Sequence, residues 1–490
     1  MPMPSAVRTT RRSVENVECD ALVVGAYQGS DRLRLSADVL TDALAESLGV
    51  FSALTDFKAE VGDVRVMPAP DRLRAKAAVV VGLGREESLG PFEARAAASA
   101  AGRTIPGARV VGCALHVGLP EDTAHAAMEG FLWGLYRPPD HKSIRGRKRS
   151  RTVVFPGVQA QALARARAYA DAVGLARDLS NEPASQMTPE AFAQASEQVS
   201  TGKGLDCVVL DQQQLSERGF GGVLAVGKGS RRPPCLIQLR YSPADPRGRV
   251  VLVGKGVTFD AGGINLKTDP QELVRMKTDM AGGAAVVGAM SVLPRLAPSL
   301  EVIGLVPAVE NLPGGGAYLP GDIITHYGGR TTEVSDTDSE GRLILADALV
   351  LASELGPDAI VDVATLTDAI VRALGPQATG LLANNDVLSQ ELADAARSIG
   401  ERLWRMPLYK EYAADLSSDL ADGRNQPVGG AGGAIKAALF LHSFVREGIP
   451  WAHLDNAGTA GTAHPSAFGG ATGAPTSTLL AWIEQRAAGR

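Results

Sequence analysis

The chain has 490 residues, 45% of them hydrophobic and 21% charged. That is too long for one hydrophobic core and ordinary for a globular protein of two domains. A formal net charge of −5 gives no electrostatic reason for nucleic acid as the main partner, and no apolar run approaches the about 20 residues of a membrane span. The cysteines, Cys19, Cys113, Cys207 and Cys235, are scattered without a C-x-x-C, which excludes a disulfide framework or thiolate zinc site and points to reduced thiols in the cytoplasm.

In chain order, Arg11-Arg12 is followed by SVENVECD, which lacks the apolar stretch of an export signal. Apolar runs of strand length follow at Ala21–Ala26, Ala77–Leu83 and Ala108–His116, with helical segments at Glu93–Arg103 and Thr123–Tyr136. With Thr152–Phe155 as a further strand, these predict a smaller N-terminal α/β domain over residues 1–157. GLGREESLG (82–90) has Glu87 where a dinucleotide loop needs its third glycine, so it reads as the exit from a strand. The basic run His141–Arg151 reads as a solvated loop, with an anionic contact such as DNA as the alternative. Gln159–Leu179 is alanine-rich with one internal glycine, Gly174, and predicts an interdomain helix within 158–182.

The larger domain is expected over 183–490. GVLAVGK (222–228) is followed by Gly229 where a P-loop needs Ser or Thr, so nucleotide binding is not expected. Strand-like and helix-like segments then alternate: 250–254, helix 281–295, 301–307, helix 342–355 and 358–364, with a further helix at 434–446. That alternation predicts a mixed, largely parallel central sheet flanked by helices. In such sheets, sites form at the carboxyl ends of strands.

Two stretches carry the chemistry. VLVGKGVTFDAGGINLKTDPQELVRMKTDM (251–280) holds Lys255, Asp260, Lys267 and Asp279; SDTDSEGRL (335–343) holds Asp338, Glu340 and Arg342. Ionisable groups at the end of a buried strand are costly unless paired or metal-bound. Asp338 and Glu340 are two apart, so an extended backbone points both to one face. Four carboxylates roughly balance two divalent cations, and without cations they would raise one another's pKa values. The two stretches therefore read as halves of one two-metal hydrolytic site.

GKGVTFDAGG, the lysine of INLK, MKTDMAGGAA and DTDSEGRL together resemble the dizinc leucyl aminopeptidase family. ARDLSNEP (176–183), ENLPGGGAYLPGD (310–322), DVATLT (362–367) and WAHLDNAGTA (451–460) extend the resemblance over about residues 176–490. It implies a cytoplasmic metallo-aminopeptidase that releases N-terminal residues, Leu-like ones preferred, from peptide substrates, and that assembles as a homohexamer. Asp260 and Glu340 would bridge two metal ions, Lys255 and Asp279 completing one site and Asp338 the other. Zn or Mn fits this shell best, with Mg or Co as alternatives. A lysine ligand must be neutral, and two adjacent cations favour that form. Lys267 would stabilise the oxyanion, and Arg342 would anchor bicarbonate as an auxiliary base. Met276, Thr365 and Leu366 would line the pocket for the first side chain, and Asp336 and Ser339 would lie beside the residue after the scissile bond. His453 reads as structural.

Four positions depart from the family's pattern. Ala261 replaces Ser, Asp336 replaces Asn, Ser339 replaces Ala, and Asp368 replaces Gly. None is an expected ligand, so specificity and rate are affected before reaction class. The rival readings are a peptidase scaffold kept for DNA binding or regulation through 141–151, and an enzyme disabled by Asp368.

Overall fold

The computed structural model describes residues 6–29, 33–36, 45–50, 55–105, 107–139, 141–143, 151–461 and 470–489. The chain divides into two compact units, Met1–Gly174 with Ala396–Glu401, and Leu175–Ala395 with Arg402–Arg490.

Among the described residues, the first unit holds a sheet of seven strands: β1 (Ala6–Thr10), β2 (Cys19–Tyr27), β3 (Arg34–Leu35), β4 (Val64–Pro68), β5 (Ala75–Gly82), β6 (Val110–Cys113) and β7 (Thr152–Pro156). The order is β1-β7-β6-β2-β5-β4, with β3 beside β2. All neighbours are parallel except β4 on β5 and β3 on β2. The expected run Ala108–His116 forms a strand only over Val110–Cys113, because the chain turns from Ala114 onward. Helices Pro91–Thr104 and Glu121–Gly134 pack closely through glycines: a Cβ on Gly134 would stand 2.2 Å from the Ser99 carbonyl oxygen.

The second unit is built on a mixed sheet. Its strands are β8 (Asp206–Leu210), β9 (Cys235–Tyr241), β10 (Arg249–Gly254), β11 (Gly256–Asp260), β12 (Glu301–Asn311), β15 (Ala359–Ala364), β16 (Thr379–Ala383), β17 (Leu403–Arg405) and β18 (Trp451–Asp455). A separate hairpin joins β13 (Ile323–Thr325) and β14 (Thr331–Glu333). The order is β17-β16-β18-β15-β10-β12-β9-β8, with β11 extending the pairing to β12. The central run β18-β15-β10-β12 is parallel, and β8, β9 and β16 join antiparallel. Every residue of β12 is buried, as expected of a strand covered on both faces, and its near-continuous apolar sequence follows from that. The mixed, largely parallel α/β architecture expected of the sequence is the one observed.

Helix Ala281–Met290 lies unusually close to this sheet. A Cβ on Gly282 would stand 2.1 Å from the Val363 carbonyl oxygen, and one on Gly254 would stand 2.5 Å from the Gly283 Cα. The expected helix over 281–295 stops at Met290, and a short turn of helix, Leu293–Leu296, follows. GVLAVGK, the near-miss to a phosphate loop, falls in a helix, Gly221–Gly227. All four cysteines are free, and among the described residues no helix is long and apolar enough to cross a membrane.

Gly282→Ala should overpack this contact and lower stability by about 1–3 kcal/mol. Denaturant unfolding of the second unit checks this, and an unchanged midpoint would show that the helix can move off the sheet freely.

Candidate metal centre

The two charged stretches meet at the carboxyl edge of the parallel strands. Lys255 follows β10, Asp260 ends β11, Asn311 ends β12, Thr365 follows β15 and Asp455 ends β18. Lys255 is fixed through its own backbone, its N–H donating to the Val363 carbonyl at 3.0 Å and its carbonyl accepting from Gly283 at 2.8 Å. The close helix-to-sheet contact thus sets the position of Asp279, two residues before that helix, against Lys255. Gly341 leaves room for the lysine tip, since a Cβ there would stand 2.6 Å from Lys255 Cε.

Lys255 Nζ lies 2.7 Å from Asp279 Oδ2, 2.8 Å from Glu340 Oε1 and 2.9 Å from the Thr365 carbonyl oxygen. Lys267 Nζ lies 2.5 Å from Asp338 Oδ1 and 3.1 Å from Asp260 Oδ2. Thr365 Oγ1 donates to Asp279 Oδ1 at 2.7 Å. Asp260, Asp279 and Glu340 are buried, and each offers a carboxylate oxygen within 4.8 Å of the others. Asp338 stands outside that trio and is linked to Asp260 through Lys267. Its side chain is 33% exposed.

Burial works against ionising these carboxyls. It raises Asp279 well above the usual carboxylate range, with Glu340 and Asp260 adding to it and Lys255 opposing. Burial likewise raises Asp260, together with the charge of Glu340. Asp338 is pushed up to about 7 by burial, then by Asp260 and Glu340. For Lys255 and Lys267 burial alone would lower the pKa. The surrounding carboxylates, led by Asp279 for Lys255 and Asp260 for Lys267, outweigh it, and both are raised. Arg342, buried, is lowered to about 10 by burial and remains cationic at neutral pH.

The cluster fits divalent cations. Four carboxylates face two ammonium groups, which leaves negative charge in excess. Asp279 Oδ2, Asp338 Oδ1 and Glu340 Oε1 are buried without hydrogen-bond geometry, although ammonium groups stand at ion-pair distance. Acceptor oxygens of this kind are what a hard cation takes.

The remaining sequence candidates fall as follows. Met276 opens the turn that ends on Asp279. Leu366, half-buried, gives its N–H to Asp455 Oδ1 at 3.2 Å. Asp336 Oδ1 accepts the Asp338 N–H at 2.9 Å, and Ser339 Oγ donates to Gln426 Oε1 at 2.8 Å. Arg342 Nη1 donates to the Asn425 carbonyl at 2.5 Å, and its Nε has no hydrogen-bond partner. Asp368 lies at the exposed start of helix Asp368–Leu374, 3.2 Å from Arg372, its side chain 73% exposed. His453 is fully buried, with Nδ1 2.5 Å from Asp362 Oδ1. Residues 144–150, the centre of the basic run proposed for DNA, lie outside the described residues.

Several residues that shape the site are not among the expected ligands or catalytic groups. Asn311 Nδ2 donates to Asp260 Oδ1 at 2.8 Å and to the Thr337 carbonyl at 3.0 Å. Tyr318 OH donates to the same carbonyl at 2.7 Å. Thr337 Oγ1 donates to the Gly262 carbonyl at 2.7 Å, and Asn265 Oδ1 accepts the Thr337 N–H at 3.0 Å. These bonds stitch the two acidic stretches together. Asn311 and Tyr318 lie within ENLPGGGAYLPGD, so that stretch was their signal in the sequence. Asn425, in GRNQPV, had none.

Buried carboxylates paired with lysines at the carboxyl edge of a parallel sheet fit a metal-dependent hydrolase. Matches to the models for the cytosol aminopeptidase family, its catalytic domain over residues 174–480 and its N-terminal domain over 23–145, show which one. The chain belongs to the cytosol aminopeptidase family and is a metal-dependent aminopeptidase of the leucyl aminopeptidase type. It is 40% identical to a probable cytosol aminopeptidase of Geotalea uraniireducens, over 95% of this chain and 96% of that protein. It is 42% identical to one of Solibacter usitatus, over 96% and 97%. Among solved structures, the bottromycin maturation enzyme BotP in complex with Mn superposes with a TM-score of 0.85 at 39% identity, over 96% of this chain and 99% of that one. A point mutant of tomato leucine aminopeptidase superposes with a TM-score of 0.87 at 31% identity, over 99% of each chain.

Proposed function

We propose that this chain hydrolyses the first peptide bond of substrates with a Leu-like N-terminal residue, using two divalent ions, Zn or Mn by preference. The observation that carries the reading is the buried trio Asp260, Asp279 and Glu340, with both lysines against it. Asp260 and Glu340 would bridge the ions, Lys255 and Asp279 would complete one site, and Asp338 the other. Bound cations supply a polarised water and a clamp on the scissile carbonyl. A cation beside Lys255 reverses the local electrostatics and favours the neutral amine that a ligand requires.

The chain's own residues divide the remaining work. The Lys267 ammonium, held between Asp260 and Asp338, stabilises the negative charge that develops on the carbonyl oxygen. Arg342 holds bicarbonate as an auxiliary base: its buried, unpartnered Nε and planar fork suit a planar anion. Met276, Thr365 and Leu366 line the pocket for the first side chain. Asp336 and Ser339 face the residue after the scissile bond. A cytoplasmic homohexamer is the assembly this reading carries over from the family resemblance.

Chelation should abolish hydrolysis of leucine p-nitroanilide, and Mn or Zn should restore it. Full turnover by protein that elemental analysis finds free of metal would sink the reading. Lys267→Ala should lower kcat by about two to three orders of magnitude with metal content unchanged. Metal loss with normal turnover per bound ion would reassign the residue. The charge of Asp336 should favour Lys over Glu after the scissile bond. A Leu-Lys to Leu-Glu ratio of kcat/KM near one, or one that survives Asp336→Asn, would refute that preference.

A further inference from the structure

The residues that bear the site differ in how they are held. Lys255 and Asp260 sit on or directly after strands, and Asp279 stands two residues before a helix packed onto the sheet. Asp338 does not. It lies in the irregular segment 334–339 between β14 and helix Gly341–Glu354. A segment without its own ladder owes its shape to outside partners, because each buried peptide group must be satisfied somewhere.

On one side those partners are Asn265, Asn311 and Tyr318, all converging on Thr337. On the other side, among the described residues, Gln426 takes the Ser339 hydroxyl, and the side chain that meets the segment's peptide groups is Asn425, fully buried at 0% exposure. Its Oδ1 accepts the N–H of Ser335 at 2.8 Å and that of Asp336 at 3.3 Å. Its Nδ2 donates to the Asp336 carbonyl at 2.6 Å and the Ser339 carbonyl at 3.4 Å. The amide's orientation is unambiguous, since a flip would set donors against donors. Asn425 is itself anchored, giving its N–H to the Glu333 carbonyl at 3.0 Å. Its own carbonyl takes Arg342 Nη1 at 2.5 Å. One residue therefore touches the peptide groups on both sides of Asp338 and also the guanidinium that follows Glu340.

We propose that Asn425 is a positioning residue that fixes the Asp338 carboxylate, and with it the affinity of the one metal ion that Asp338 completes. This rests on the two-ion reading above. It assigns the residue no contact with substrate or metal. Its effect falls selectively on the ion served by the more exposed, loop-borne Asp338, leaving the ion served by Lys255 and Asp279 in place.

The test is Mn²⁺ binding, followed by titration calorimetry and by Mn²⁺ EPR, to wild type, Asn425→Ala, Asn425→Asp and Asp338→Asn. Wild type should take up two ions; fewer than two would sink the two-ion reading. Given two, Asn425→Ala should weaken one ion by about 10- to 100-fold, the usual scale for losing an outer hydrogen-bond partner of a ligand. The other ion should stay within about twofold. The same ion should be the one weakened by Asp338→Asn, and the double variant should be clearly less than additive. Asn425→Asp keeps the acceptor for the Ser335 and Asp336 N–H groups but sets a carboxylate oxygen against two carbonyls. It should weaken the same ion, and circular dichroism of both variants should show the native fold. Unchanged affinity for both ions in either variant overturns the proposal. So does equal weakening of both, which would make Asn425 a general support of the fold.

Discussion

The structure depends on holding an excess of negative charge out of water. Asp260, Asp279 and Glu340 are each almost fully buried, and Asp338 stands beside them. Ionised groups in such a place are strongly disfavoured unless compensated, which is why burial heads the causes raising Asp279, Asp260 and Asp338. Two lysines supply part of the compensation. Lys255 is buried and Lys267 partly buried, each against carboxylates from different segments, so neither can be removed without leaving uncompensated charge. A site built this way binds cations because the protein's own charges fall short.

Holding like charges together requires a scaffold that does not yield. The parallel sheet provides it, because its carboxyl ends are held in register by ladders on both sides. β10, β15 and β18 pair residue for residue through their last turns toward the site. Asp455, at the end of β18, accepts from Leu366 N–H and Thr367 Oγ1 and so fixes the turn whose Thr365 touches both Lys255 and Asp279. Small residues then bring the next layer close. With a side chain at Gly282, helix Ala281–Met290 would be pushed off the sheet and Asp279 moved from Lys255. With one at Gly341, the tip of Lys255 would be displaced.

Much of this was legible in the sequence, for a physical reason. Ligands and charged groups are chemically distinctive, and glycine-rich strand exits mark where a backbone must turn tightly, so Lys255, Asp260, Lys267, Asp279, Asp338 and Glu340 stood out and the structure brings them together. The parallel sheet was legible from β10, β12 and β15, whose both-sided burial writes continuous apolar runs. Strands β8 and β9 were missed because they lie toward the sheet's edge and mix polar with apolar residues. Asn425 was missed because an asparagine between a basic residue and a glutamine looks like any solvated turn. Its role comes from a backbone about 90 residues earlier in the chain, which no local pattern records.

The departures from the family's pattern make the same point about where the fold is rigid. Asp368 replaces a glycine, yet it is the first residue of an exposed helix start capped by Thr367 and pairs with Arg372 outside the charged cluster, so it adds no buried charge. Ala261 keeps its backbone bonds to Asn311 and Lys267 and needs no hydroxyl. Asp336 and Ser339 both lie in the loop gripped by Asn425, and each takes a neighbouring partner, the Asp338 N–H and Gln426. Three of the four substitutions have thus entered the exposed helix start and the loop, where a polar group can find a local bond; the fourth, Ala261, directly follows β11 and trades a hydroxyl for a methyl. At the strand ends Lys255 faces Asp279 and Glu340, and Asp260 faces Lys267, so those two positions offer no such freedom. Variation at Asp336 and Ser339 therefore acts on the loop that bears Asp338 and on the charge near it, while Lys255 and Asp260 stay fixed at the strand ends.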